Sequence, residues 1–187
     1  TEETTETLYL LGEDRRLVGI SGFTVRPPRA RREKPRVSAF TSAKIDRILD
    51  LAPDLVLGFS DLQADIAADL VRRGIEVHVF NQRSIADILR SIAVLGGMIG
   101  CESKAQALVA SLESGLAQVR ESAAALPRRA RVYFEEWDEP QISAIRWVSE
   151  LIGIAGGDDC FPELACAPLG CLEAITDILP WLTGREG

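Results

Sequence analysis

The side chains able to do chemistry are few and scattered. Cysteines stand at 101, 160, 166 and 171, and His78 is the single histidine. That set lacks the two close cysteine pairs of a zinc ribbon and any second imidazole, so neither a structural nor a catalytic zinc is predicted. Cys160, Cys166 and Cys171 leave two outcomes open, one disulfide in an oxidising compartment or free buried thiols. Glu135 and Glu136 are adjacent carboxylates, but in the strand predicted for residues 131–136 neighbours point to opposite faces and cannot flank one bond. No nucleophile or histidine stands near them in sequence. Gly96-Gly97 lies inside a helical pattern and Gly156-Gly157 follows one, so neither is a phosphate loop. No catalytic residue, cofactor or metal is predicted.

Aromatic side chains at the ends of elements are the more informative group. Phe59, Ser60 and Asp61 follow the strongest apolar strand pattern; Phe40 closes Val37-Ser38-Ala39-Phe40, and Phe23 lies in the loop before it. Trp137 and Asp138 lie just past the strand predicted for 131–136, and Trp147 is on the helix after it. Each Phe is also readable as core packing, Phe23 more so than Phe40 and Phe59, and a Trp within a helix is often core, so Trp137 is the better pocket candidate of the two Trp residues.

The elements that must position these residues alternate between helix and strand, the signature of parallel βαβ construction. Ile45, Ile48 and Leu49 share one face of a helix over 43–51, stopped by Pro53, and the apolar run 55–59 reads as a strand buried on both faces. Asp61 is a candidate cap for a helix to about residue 73, closed by Gly74, and Ile75, Val77 and Val79 alternate as the next strand. Ser84 with Asp87 resembles an acidic capping box opening a helix to about residue 98. Leu108, Leu112, Leu116 and Val119 then recur at helical spacing within 103–126, a helix of ~35 Å. A helix over 141–155 ends at Gly156-Gly157, and beyond Asp159 the pattern degrades.

Bulk properties narrow the partners. The chain of 187 residues is 47% hydrophobic, enough for one full domain or two small lobes with a real core. A net charge of -7 argues against a nucleic-acid partner, and the basic run 26–36 is short and punctuated by proline. No stretch approaches the ~20 apolar residues of a membrane-spanning helix, so at most a peripheral membrane association is expected. The start is also compatible with a leader already removed.

Taken in order, Thr5-Glu6-Thr7-Leu8-Tyr9, Leu17-Val18-Gly19-Ile20-Ser21, Pro27-Pro28, Val37-Ser38-Ala39-Phe40, Leu51-Ala52-Pro53-Asp54-Leu55-Val56-Leu57 and Ala155-Gly156-Gly157 resemble the landmarks of the iron/B12-type periplasmic binding proteins. Val132-Tyr133-Phe134-Glu135-Glu136-Trp137-Asp138 and Ile145-Arg146-Trp147-Val148-Ser149-Glu150-Leu151 are similar to a cobalamin-binding subgroup. The resemblance implies an α/β fold of class III, two Rossmann-like lobes joined by one long backbone helix with ligand in the cleft between them. It places an N-terminal lobe at 1–100, the connecting helix at 101–127 and a partial C-terminal lobe at 128–187. The family's strand before the Thr-Glu-Thr helix and its later βα units are not matched, which implies an incomplete second lobe and a truncated or divergent product.

The function implied is that of the substrate-binding component of an ABC uptake system, extracytoplasmic and compatible with a lipid anchor in the precursor. The resemblance implies that it binds cobalamin or another corrinoid and hands it to a membrane permease. Phe23, Arg26, Phe40, Phe59, Ser60, Asp61, Trp137, Asp138 and Trp147 are the expected ligand-binding residues, because a flat chelate needs aromatic platforms and a few polar groups. Asp65 and Glu173 are the expected permease-docking carboxylates. Arg26 stands where the family often has an aromatic residue, which keeps a ferric siderophore or haem as an alternative cargo. A non-binding remnant and a chelatase-like metal enzyme are the remaining alternatives, the latter disfavoured by the single histidine.

Overall fold

Apolar spacing of three and four residues switches repeatedly to short β-rich runs, and the computed structural model, which describes residues 2–138 and 141–166, mixes helices with short strands. In chain order these are α1 (Glu2–Leu10), β1 (Ile20–Ser21), α2 (Ala30–Glu33), β2 (Arg36–Ser38), α3 (Ile45–Asp50), β3 (Val56–Phe59), α4 (Ala64–Arg72) and β4 (Val77–Phe80). Then come α5 (Ile85–Met98), α6 (Glu102–Ala124), β5 (Ala130–Val132), β6 (Trp137–Asp138), β7 (Gln141–Ile142), α7 (Arg146–Ile154) and β8 (Gly157–Asp159). The chain divides into two compact units, Thr1–Gln82 with Ala86–Ser111, and Arg83–Ile85 with Leu112–Gly187.

The first unit holds two parallel strand pairs, β1 with β2 and β3 with β4. The pairs do not join into one sheet among the described residues. A cavity of about 580 Å³ is lined by Ile20 and Val37 from one pair, Leu57 and Val77 from the other, and Leu8 and Leu70 from the helices. Beside it lie the buried clusters: Leu8, Phe80 and Leu95 form one, and Leu11, Ile92, Cys101 and Ala105 another. Tyr9 anchors a third, with Ile20 and Ala30. Its hydroxyl donates to Glu33 Oε2 at 2.8 Å, and burial together with that carboxylate pushes its ionisation up to about 12.

α5 ends by the hydrogen bonds Gly100 N–H to Gly97 O and Cys101 N–H to Gly96 O, with Gly100 at φ +67°. This is a Schellman closure, which needs a residue free to turn left-handed. It folds α6 back onto α5 so tightly that a Cβ on Gly96 would sit 2.3 Å from Ala105 Cβ. α6 then runs unbroken for 23 residues, a rise of about 34 Å. Of its apolar row, Leu112 and Val119 are exposed.

In the second unit β5 pairs with β8 in parallel and β6 with β7 in antiparallel. Two expectations are corrected here. The strand predicted for 131–136 stops at Val132, so the opposite-face argument for Glu135 and Glu136 loses its basis. What separates those carboxylates is their partners: Glu135 accepts from Tyr133 Oη at 3.1 Å, while partial desolvation raises Glu136. The helix predicted for 141–155 begins only at Arg146, because Gln141 and Ile142 are taken up by pairing with β6 and Ile145 is extended (φ -68°, ψ 158°). Cys101 and Cys160 are buried free thiols. The side chain of Cys166, and all of Cys171, lie outside the described residues.

Candidate functional site

β3 delivers the central site residue. Its four residues pair with β4 from Val56↔Val77 to Phe59↔Phe80, so Phe59 closes the strand at its carboxyl end. In parallel α/β units the loops beyond those ends are where ligand groups gather. Ser60 comes next in a left-handed conformation, φ +52°, a state that costs a non-glycine residue ~1 kcal/mol or more. The turn is held on three sides: Ser60 N–H donates to Phe80 O at 2.7 Å, Leu62 N–H donates to Ser60 Oγ at 3.2 Å, and Gln63 N–H reaches Ser60 O at 3.4 Å. Ser60, not Asp61, therefore caps the single 3-10 turn over Asp61–Gln63 that leads into α4. Ser60 is buried while Asp61 and Asp65 are exposed, Asp65 in the first turn of α4.

Phe40 arrives from the other strand pair, two residues past β2. Its ring lies 5.2 Å from that of Phe59, tilted by 55°, and it is 45% exposed while Phe59 is half-buried. That separation and tilt are in the favourable range for an aromatic pair, which here presents an apolar surface to solvent. Gln63 joins the two: Phe59 N–H donates to its Oε1 at 3.0 Å, and its Nε2 donates to Phe40 O at 2.9 Å. Nothing in the sequence singles out Gln63, since a polar residue one turn after a strand carries no signal until both partners are known.

Phe23 and Arg26, also expected site residues of the first unit, have other partners. Phe23 is exposed, its N–H donating to Ser21 Oγ at 3.1 Å. Arg26, exposed beside a cis bond to Pro27, places Nε 3.2 Å from Glu6 Oε1. In the second unit Trp137 and Asp138 form β6 and pair with Ile142 and Gln141. They are separated from the end of β5 by residues 133–136, so they open a hairpin instead of lying just past a parallel strand. Trp147 is half-buried in the first turn of α7, and Glu173 lies outside the described residues. Among the described residues no three His, Cys, Asp or Glu side chains could hold a metal ion.

Known proteins place the chain. The model of the family described as periplasmic binding protein matches residues 1–175. The ABC transporter substrate-binding lipoprotein YvrC of Bacillus subtilis (strain 168) is 28% identical over 144 residues, 74% of this chain and 45% of that protein. The vitamin B12-binding protein of Vibrio parahaemolyticus is 24% identical over 164 residues, 86% of this chain and 59% of that protein. The present chain thus spans about half the length of the curated relatives it matches. Among solved structures, a periplasmic haem-binding protein of Roseiflexus sp. RS-1 in its apo form superposes with a TM-score of 0.76 at 22% identity, over 87% of this chain and 64% of that one. The fold is therefore α/β of the class III periplasmic binding type, with one long helix. By its matching model the chain belongs to the periplasmic binding protein family, whose members bind solutes and are not enzymes.

Proposed function

We propose that this chain is the solute-binding part of an ABC uptake system and that it captures a corrinoid, passing it to a membrane permease. The observation that carries the reading is the Phe40–Phe59 pair, an apolar aromatic surface at the carboxyl ends of parallel strands with the Gln63 amide bonded to both segments. A flat, largely apolar macrocycle with a polar periphery suits such a surface, and no reactive side chain is needed to hold it. The B12-binding relative supports that cargo. Arg26, the feature that most favours an anionic chelate, already has Glu6 against its guanidinium, which offsets its charge locally.

Asp65, exposed on α4, is proposed as one carboxylate that meets a basic permease, and its effect would fall mainly on the association rate. Glu173 is proposed as the second. Trp137, Asp138 and Trp147 are carried as ligand candidates of the second unit. The lipoprotein relative supports an extracytoplasmic place at the membrane surface. Among the described residues no helix is long and apolar enough to cross a membrane.

The test is a tryptophan-fluorescence titration with cyanocobalamin, haemin and a ferric hydroxamate, corrected for inner-filter absorption. The corrinoid reading expects saturable quenching by cyanocobalamin at the lowest concentration of the three. Tighter binding of haemin would replace the cargo. No saturable response to any of them, with a folded chain, would remove the receptor reading.

A further inference from the structure

Gln63 links, through its side chain, the two backbone segments that carry the aromatic surface, and its chemistry is tightly constrained. Val56 and Ser60 donate their N–H groups toward β4, to Glu76 O and Phe80 O. Because a strand's hydrogen-bonding groups alternate in direction, the N–H of Phe59 points the other way and β4 does not satisfy it. Gln63 Oε1 accepts that N–H at 3.0 Å, while Nε2 of the same amide donates to the carbonyl of Phe40, 23 residues earlier in the chain, at 2.9 Å. Only a side chain with both an acceptor and a donor can make this pair of bonds, and the two partners fix which amide atom faces which. The left-handed turn at Ser60 brings Gln63 back over the strand end, at a conformational cost that the surrounding bonds sustain.

We propose that Gln63 is a positioning residue of the ligand surface: its amide holds Phe59 and Phe40 in register, so that the two rings form one preformed platform for the bound macrocycle. This rests on the corrinoid reading. An arrangement of this kind matters for binding because a platform ordered in advance spares the complex the entropy of ordering it. The rings gain little from each other in the core, since Phe40 remains 45% exposed.

Two substitutions separate the arms of the brace. Gln63→Glu keeps the acceptor for Phe59 but sets a carboxylate against the Phe40 carbonyl; Gln63→Leu removes both bonds. Proton NMR of the whole chain reads the Phe40–Phe59 ring contact, with the edge-on His78–Phe80 contact at 4.4 Å, within β4, as an internal measure that this strand stays folded. Calorimetry reads the cyanocobalamin affinity. The expected result is an intact His78–Phe80 contact, a lost Phe40–Phe59 contact, and affinity falling in the order wild type, Gln63→Glu, Gln63→Leu, by roughly tenfold at the last step as preorganisation is lost. A ring contact that persists in Gln63→Leu, or one that disappears with affinity unchanged, overturns the proposal. So does loss of the His78–Phe80 contact in Gln63→Leu, which would make the residue structural. If the wild type leaves cyanocobalamin unbound, the corrinoid reading falls with the binding role, and the ring contact alone then decides whether the brace exists.

Discussion

The two units present their candidate residues in different ways. In the first, Phe40 and Phe59 sit at the ends of parallel strands backed by helices whose Leu70 and Leu95 are each 1% exposed, and a single amide ties the strand ends together. In the second, Trp137 and Asp138 belong to a two-residue antiparallel strand, and Trp147 stands at the start of a helix whose Leu151 is 37% exposed. A site at a parallel strand end inherits the rigidity of the core behind it. A site on a hairpin inherits only the hairpin, and two paired strands alone are marginal in water.

Substitutions in the two cores set the units apart most directly. Leu95→Ala empties a fully buried position packed against Leu8 and Phe80 and is expected to cost about 3 kcal/mol in urea unfolding followed by circular dichroism. Leu151→Ala removes a side chain already partly in water and is expected to cost under ~1 kcal/mol. Equal costs would mean that the second unit holds its helix as tightly as the first. A finer contrast lies within α5: Gly96→Ala drives a methyl into Ala105 and is expected to destabilise by about 2 kcal/mol, an overpacking cost. Gly97→Ala, with nothing within 4 Å of the added methyl, is expected to stabilise by about 0.5–1 kcal/mol from helix propensity. If both behaved alike, the close crossing of α5 and α6 would not hold in solution.

Periodicity makes the first unit legible. The runs at 55–59 and 75–79 alternate or cluster apolar residues as parallel strands require, and β3 and β4 lie there. The long helix is equally readable, since Leu108, Leu112, Leu116 and Val119 keep helical spacing inside a stretch, 103–126, that no proline interrupts; α6 is unbroken over Glu102–Ala124. Pairing that composition disfavours is what a sequence hides. β8 is Gly-Asp-Asp, a poor strand by propensity, and exists because β5 supplies its ladder and Gly157 leaves no Cβ to meet Val132 Cγ2 at 2.8 Å. The β6–β7 hairpin is hidden for a related reason: Gln141 and Ile142 continue a helical pattern in sequence and are captured by a partner strand. At the site, aromatic positions are visible because they end strands, whereas Gln63 acquires meaning only when Phe40 and Phe59 are brought together.

The functional reading turns on the paired phenylalanines of the first unit carrying the contact with the macrocycle. Calorimetric titration of cyanocobalamin into the wild type and into the Phe40→Ala, Phe59→Ala double variant tests this, with Val71→Ala as the control for an exposed apolar residue outside the expected ligand contacts. A loss of at least about tenfold is expected in the double variant, the scale of a truncated aromatic anchor, with little change in Val71→Ala. Equal affinity in all three proteins would contradict it.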